Sequence, residues 1–272
     1  MTRPAACIAV LAGLVLVSCA DNHRDTESGM DSDAVRQYLK VLSGKRIFFG
    51  HQSVGYDVMR GVRELAGEEG TMRFLEAGTP QMPAGGWFAD ARIGRNGHPA
   101  EKCDAFAEMA GRLAHDSLDF ALMKFCYADI GPDSDPREVF DLYARTIDSL
   151  RRTFPGTKFI PATVPYTLIT PRWKRMLKGL LGRSDRSLAA NLRRSEFNAL
   201  VARTYGGGPL FDIARAESTH GDGTRECRVT DGDTVYSLIG RYTSDGGHLS
   251  PIGRQRAAVE ILRALAEAAA HE

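Results

Sequence analysis

The apolar positions of this chain follow two periodicities in turn, and this alternation predicts strands and helices in succession. Predicted helices have apolar side chains three or four residues apart, whereas predicted strands are short apolar runs bounded by glycine or polar residues. Helices are predicted at 33–42, from Ser53 onwards, and at 100–114, 136–153, 187–205 and 251–270; strands are predicted at 46–50, 72–76, 120–127, 158–163 and 210–213. Regular alternation of this kind predicts an α/β fold, a three-layer doubly wound parallel sheet with helices on both faces.

The N-terminus has a different pattern. Arg3 precedes an apolar run over 5–17, which is too short to remain as a membrane-spanning helix, although a buried core helix is an alternative. The run closes on Leu-Val-Ser-Cys and resembles the lipobox that bacterial lipoprotein signal peptidase reads, which implies a diacylglycerol on Cys19. We therefore predict a signal peptide over 1–18, a polar tether over 19–32 and a single α/β domain over 33–272.

This resemblance also implies a location. The protein is expected to be lipid-anchored in the cell envelope and bound to the membrane through Cys19. Ala20 follows the cysteine where an aspartate would favour retention in the inner membrane, so the periplasmic side of the outer membrane is favoured.

Composition excludes several classes of protein. The chain has 35 Lys and Arg against 34 Asp and Glu, a formal net charge of +1, and no long block of like charges, so nucleic acid is not an expected partner. Beyond Cys7 and Cys19, the cysteines are Cys103, Cys126 and Cys227, without a C-x-x-C pair. A zinc ribbon is therefore excluded, at most one internal disulfide is possible, and Cys126 is expected to be a small buried residue. The basic stretch 173–181 is either a surface helix or a segment that covers a membrane or cleft.

Ligands of open parallel sheets bind beyond the carboxyl ends of the strands, so the residues there are candidates for chemistry. The first such segment is Gly-His-Gln-Ser-Val-Gly over 50–55. Ser53 lies at its junction with a helix, where unpaired N–H groups favour developing negative charge, as a nucleophile requires. The alternative is that Ser53 only caps the helix.

A second candidate segment precedes the last predicted helix. Asp245 and His248 lie three residues apart in a glycine-rich loop that leads to Pro251. Together with Ser53, this arrangement resembles the SGNH hydrolases, also called the GDSL family, whose fold is flavodoxin-like. The resemblance implies that Ser53 attacks an acyl carbonyl, His248 transfers the proton and Asp245 orients the imidazole.

The inner motifs of that family match less well. Gly97 or Gly94 is the candidate for the backbone N–H that binds the oxyanion, but the family's oxyanion asparagine is missing, because Cys-Tyr-Ala-Asp occupies 126–129. Asn96 or Lys124 is a candidate replacement. His51 and His98 are candidates for substrate binding or solvated loop residues, and Asp129 is either an acid behind the site or the cap of a turn.

Three functions remain open from the sequence. The leading one is a serine esterase that hydrolyses or transfers an O-acyl group, such as acetyl, on a cell-envelope glycan, without cofactor or metal. The second is a binding protein that kept this fold and lost turnover. The third is a zinc hydrolase in which His51, His98, Asp245 and His248 gather around the metal, although no ligand spacing supports it.

Overall fold

The computed structural model of this chain describes residues 32–67, 72–77, 82–171, 186–230 and 232–270. The predicted signal peptide, Cys19 and the basic stretch 173–181 lie outside these ranges. The helices are α1 (Ser32–Leu42), α2 (Ser53–Ala66), α3 (Pro99–His115), α4 (Pro136–Thr153), α5 (Ser187–Tyr205), α6 (Ile213–Ser218) and α7 (Pro251–Ala270). No helix in the described ranges is long and apolar enough to cross a membrane.

Five parallel strands form the central sheet. They are β1 (Arg46–His51), β2 (Phe74–Glu76), β3 (Trp87–Arg92), β4 (Phe120–Met123) and β5 (Lys158–Ile160), in the order β2-β3-β1-β4-β5. β2 and β3 lie on one side of β1, and β4 and β5 lie on the other. Apart from the short edge strand β2, this is a doubly wound strand order, whose direction reverses at β1. The crevice at the carboxyl end of β1 is therefore where a ligand site is expected.

Successive side chains of β1 point to opposite faces of the sheet and divide the core in two. Phe49 packs in a cluster with α1, α2 and α7, whereas Phe48 packs with α3, α4 and α5. Helices thus cover both faces, which confirms the predicted three-layer fold.

The five helices predicted with both ends agree with the structure to within a residue at each end, α2 begins at Ser53 as predicted, and the strands differ more. The strand predicted at 120–127 ends at Met123, and Tyr127–Asp129 form a short 3-10 helix instead. The strand predicted at 210–213 is a single bridge between Phe211 and Ala162, because the Asp212 side chain caps α6. Three features were not predicted from the sequence: β3, the short helix α6, and an antiparallel hairpin of β6 (Cys227–Thr230) and β7 (Asp233–Tyr236).

Candidate active site

Hydrogen bonds and ion pairs of largely buried side chains fix the segment between β1 and α2. His51 is 1% exposed; its Nε2 lies 3.0 Å from Oδ2 of Asp90 on β3, and its Nδ1 lies 2.8 Å from the Gln52 carbonyl. Both ring nitrogens therefore face oxygen acceptors. Arg63 of α2 donates to the other Asp90 oxygen at 2.6 Å. Burial raises the pKa of Asp90, but the hydrogen bonds and charges of His51 and Arg63 outweigh it, so the pKa lies below its usual value.

Close packing explains two glycines of this segment, and the burial of His51 corrects the expectation for that residue. A Cβ on Gly55 would lie 2.2 Å from the His51 Cβ, and a Cβ on Gly50 would lie 2.9 Å from Ile93. Both positions therefore have no room for a side chain. His51 faces the interior between the sheet and α2, so in this structure it anchors the segment and does not face a substrate.

Gln52 joins this segment to the loop that follows β3. Its side-chain amide donates to the carbonyls of Ile93 and Gly94. Gly94 has a φ of +52°, and a Cβ there would lie 2.6 Å from the backbone nitrogen of Lys102 in the first turn of α3. The loop that carries Gly94, Asn96 and Gly97 is thereby fixed beside the start of α2.

Ser53 is the first residue of α2 and is not its cap. Gln52 occupies the cap position and makes no side-chain cap hydrogen bond, so the alternative role of Ser53 as a helix cap is not supported. The hydroxyl is half-buried and has no hydrogen-bond partner among the residues that the structure describes. The first N–H groups of α2 lack carbonyl partners within the helix, so the serine lies beside donors that suit an anion.

Asp245 and His248 form a hydrogen-bonded pair in the loop before α7. Nδ1 of His248 lies 2.6 Å from Oδ2 of Asp245, while Oδ1 of Asp245 accepts the backbone N–H groups of Gly247 and His248. The bond from the imidazole, followed by these two backbone bonds, lowers the pKa of Asp245 to about 2. The acid is therefore ionised at neutral pH and fixes the His248 tautomer that leaves Nε2 free to take a proton.

One contact joins this loop to α2, and a second joins it to Tyr127 after β4. Oδ2 of Asp57, one turn after Ser53, accepts the N–H of Leu249 at 3.0 Å. The Tyr127 ring meets the His248 ring edge to face, with centroids 6.1 Å apart. Ser53 and His248 thus lie at the same edge of the sheet, although no hydrogen bond joins their side chains.

Some of the predicted oxyanion donors already have a hydrogen-bond acceptor in the protein and are not free to bind an oxyanion. The N–H of Gly97 donates to Oδ1 of Asp129 at 2.7 Å, and Oδ2 of Asp129 accepts from the buried Lys102 ammonium and the Cys126 N–H. Asn96 accepts from Lys102 through its oxygen, which turns its amide NH2 away from that lysine. Of the predicted donors, the Gly94 N–H and the Asn96 amide are without a hydrogen-bond acceptor in the described residues.

Lys124, the remaining candidate donor, is wholly buried at the end of β4. Its ammonium contacts the Phe125 carbonyl at 3.4 Å, and burial lowers its pKa. A side chain without exposed area cannot contact a substrate in this conformation. Its charge acts on the site only at a distance.

The residues proposed for a zinc centre are not brought together. His51 is bonded to Asp90, whereas exposed His98 lies 3.7 Å from Glu101. No group of three or more His, Cys, Asp or Glu side chains suited to a metal occurs in the ranges that the structure describes. Cys103 and Cys126 are buried, Cys227 is exposed, and none of the three is in a disulfide.

Sequence reasoning missed three residues of this site. Asp57, Asp90 and Tyr127 are each fixed by a partner distant in the chain, so their roles depend on the fold. For Asp57 alone the sequence contained a signal, its helical spacing: it is four residues after Ser53 and so shares the face of α2 on which Ser53 lies.

No protein-family model matches this sequence, and no curated protein similar to it is found. Among solved structures, the chain is similar to a protein described as an SGNH hydrolase from Slackia heliotrinireducens, with 19% identity and a TM-score of 0.44 over 82% of this chain and 99% of that one. It is also similar to a lipolytic protein of the G-D-S-L family from Desulfitobacterium hafniense DCB-2 (9% identity, TM-score 0.44, 81% and 99% covered). A third similar structure is the periplasmic domain of a lipopolysaccharide acetyltransferase from Salmonella ser. Paratyphi A (13% identity, TM-score 0.46, 86% and 88% covered).

Proposed function

We propose that this chain is a serine esterase or acyltransferase of the SGNH type, with Ser53 as nucleophile, His248 as general base and Asp245 as orienting acid. The observation that carries this proposal is the 2.6 Å bond between Asp245 and His248, in a loop tied through Asp57 to the helix that begins at Ser53. An acid, a base and a hydroxyl beside helix N–H groups are the parts that acyl transfer needs.

The reaction proceeds in two halves. Oγ of Ser53 attacks the acyl carbonyl carbon and its proton passes to Nε2 of His248, while the carbonyl electrons move to oxygen. When the tetrahedral intermediate collapses, the ester C–O bond breaks and the departing alkoxide takes the proton from Nε2. Water, or an acceptor alcohol in a transferase, then loses its proton to Nε2 and attacks the acyl-serine. When this second tetrahedral intermediate collapses, the bond between the acyl carbon and Oγ breaks and Oγ takes the proton from Nε2, which releases the acyl product and restores both Ser53 and His248.

Support for the oxyanion site comes from the start of α2 and the neighbouring loop. The Ser53 N–H lies at the helix N-terminus, and the Gly94 N–H and the Asn96 amide are the unpaired donors of the loop that Gln52 fixes. We assign the oxyanion to these groups and not to Gly97, whose N–H is bonded to Asp129.

The test is covalent labelling of the purified protein with a fluorophosphonate, followed by peptide mapping and by hydrolysis of a generic acetyl ester. We expect the label on Ser53, and loss of both labelling and turnover in Ser53→Ala. Ser43→Ala is the matched control, because Ser43 precedes β1 at the opposite edge of the sheet and, within the described ranges, its hydroxyl bonds only to the Lys40 carbonyl. An unlabelled wild-type protein without turnover would exclude the enzyme.

We further propose an acetyl ester of a cell-envelope glycan as substrate and a lipid anchor at Cys19. Support for the anchor is the lipobox, and support for the substrate is the compartment that the anchor implies. Release of acetate from O-acetylated envelope polysaccharide, compared with longer acyl chains, tests the substrate. Cys19→Ser should abolish partition of the protein into detergent, and wild-type protein without a lipid mass on Cys19 would contradict the anchor.

One observation favours a second candidate, a glycan-binding protein without turnover. Asp129 engages the N–H groups of both Gly97 and Cys126, and Ser53 is not bonded to His248, so the site is not assembled as a complete triad with two backbone donors. Saturable binding of acetylated glycan, together with no fluorophosphonate adduct, would support this candidate.

A further inference from the structure

Asp57 connects the proposed nucleophile with the proposed base. It lies one turn after Ser53, and residues four apart share a helix face. From that face its Oδ2 accepts the N–H of Leu249, the residue after His248, at 3.0 Å. Asp57 therefore joins the helix that begins at the serine to the loop that holds the histidine.

The histidine loop is otherwise bonded mainly to itself. Thr243 donates to the His248 carbonyl and accepts the Gly246 N–H, and Asp245 accepts two backbone N–H groups of the same loop. A bond from Leu168 to the Gly246 carbonyl connects it to the chain beyond β5. These bonds shape the loop. The helix that follows it is joined to α2 through Arg254 and Glu64, and Asp57 provides the direct hydrogen bond between α2 and the loop itself.

The surroundings of Asp57 combine burial with nearby positive charge. Burial raises the pKa of Asp57 above its usual value, and the Leu249 N–H and the charges of His248, Lys124 and Arg254 offset only part of that rise. Lys124 is wholly buried at the end of β4 and has no carboxylate within ion-pair distance among the described residues. Asp57 is therefore one of the negative charges that offset the charge of its ammonium group.

We propose that Asp57 is a positioning residue, which sets the distance between Ser53 and His248 by holding the Leu249 N–H and which stabilises the protonated form of His248 through its charge. This inference rests on the proposed esterase or transferase function. Asp57 does not touch the substrate in this scheme, and its effect reaches the reaction through the histidine loop.

The two contributions separate in two variants. Asp57→Asn keeps an oxygen that accepts the Leu249 N–H and removes the charge, whereas Asp57→Ala removes both. For Asp57→Ala we expect kcat and the rate of fluorophosphonate labelling to fall about 10- to 100-fold with KM within about twofold, the size of effect that a small misplacement of a catalytic group produces. For Asp57→Asn we expect kcat within about threefold of wild type.

The pH profile gives a readout that a purely structural residue would not change. The charged and titratable groups around His248 and Asp57 are Asp245 in the loop, Tyr127 after β4, Lys124 at the end of β4 and Arg254 on α7. Losing the negative charge of Asp57 should make the histidine easier to deprotonate. The acid limb of kcat/KM should therefore move to lower pH in Asp57→Asn.

Glu64→Gln is the matched control. Glu64 lies on the same face of α2, two turns further on, and pairs with Arg254 of α7 away from the histidine. It should leave both kcat and the acid limb unchanged.

Wild-type kcat in folded Asp57→Ala would overturn the proposal, as would an unshifted acid limb in Asp57→Asn, which is measurable even if the alanine variant does not fold. If wild-type protein neither labels nor turns over ester, the proposed function itself fails, and this outcome is separate from any comparison between variants.

Discussion

Asp245→Asn tests the acid of the proposed triad with little change in shape. Oδ1 of Asp245 accepts both backbone N–H groups, from Gly247 and His248, whereas Oδ2 faces Nδ1 of the imidazole. In the asparagine variant the amide oxygen is retained where the two donors are, so the NH2 group faces Nδ1. Nδ1 must then accept, the proton moves to Nε2, and the base can no longer take the proton of Ser53.

The size of the loss follows from two effects. A hydrogen bond to a charged group contributes about 1.5–3 kcal/mol, or roughly 10- to 150-fold in rate if it is made to the imidazolium of the transition state. The wrong tautomer adds to this, and the same change at the buried acid of a serine protease costs about 10⁴-fold in kcat. Because the Asp245 side chain is 55% exposed and water screens it, we expect an intermediate loss, about 100- to 1000-fold in kcat.

The assay is steady-state hydrolysis of an acetyl ester from pH 5 to pH 9. Wild-type Asp245 remains ionised over this range because its pKa is about 2. Its stabilising contribution is present above the usual pKa of 3.8 and is lost only as the pH falls towards 2. Thermal unfolding at pH 7 should therefore be nearly the same for both proteins, since the exposed pair contributes little. A folded variant with more than about a third of wild-type kcat would refute this assignment of the acid.

Two further predictions concern stability. Gly55→Ala should lower the unfolding free energy by about 1–3 kcal/mol or more, because its Cβ would lie 2.2 Å from that of His51, whereas Gly44→Ala, which meets no atom within 4 Å, should be nearly neutral in the same thermal melt. Asp129→Ala should cost about 3–5 kcal/mol in chemical denaturation, because it leaves the buried Lys102 ammonium without its carboxylate; a loss below about 1 kcal/mol would mean that this ion pair is not formed.

Helical periodicity predicted the helices well because an amphipathic helix records its own buried face in its sequence. Strand β3 was missed because its apolar run, Trp87 to Ala89, is interrupted by Asp90. That aspartate is tolerated inside only because His51 and Arg63 pair with it, and such pairing is a property of the fold. The strand predicted beyond Met123 failed for a related reason, since the Cys126 N–H bonds to the side chain of Asp129 and not to a neighbouring strand.

The site could be predicted only where its chemistry is local. Asp245 and His248 are three residues apart, so their spacing already indicates a contact, and the 2.6 Å bond agrees with it. The oxyanion donors depend on where the loops after β3 and β4 meet, and the sequence did not indicate that Asp129 binds the Gly97 N–H. The contact between Asp57 and Leu249 spans most of the chain and has no local signal at all.

The packing of His51 against Gly55 and its bond to Asp90 have a consequence for the evolution of this sequence. These positions are constrained in two ways. Any residue with a Cβ at position 51 requires glycine at 55, whereas a homologue that replaces the histidine by an apolar residue loses the partner of the buried acid. We expect His at 51 and Asp at 90 to covary across related proteins, with glycine kept at 55. A search pattern that joins Gly-His-Gln-Ser-x-Gly to an acid three residues before an Ile-Gly or similar loop start would then recognise distant relatives that lack the usual family motif.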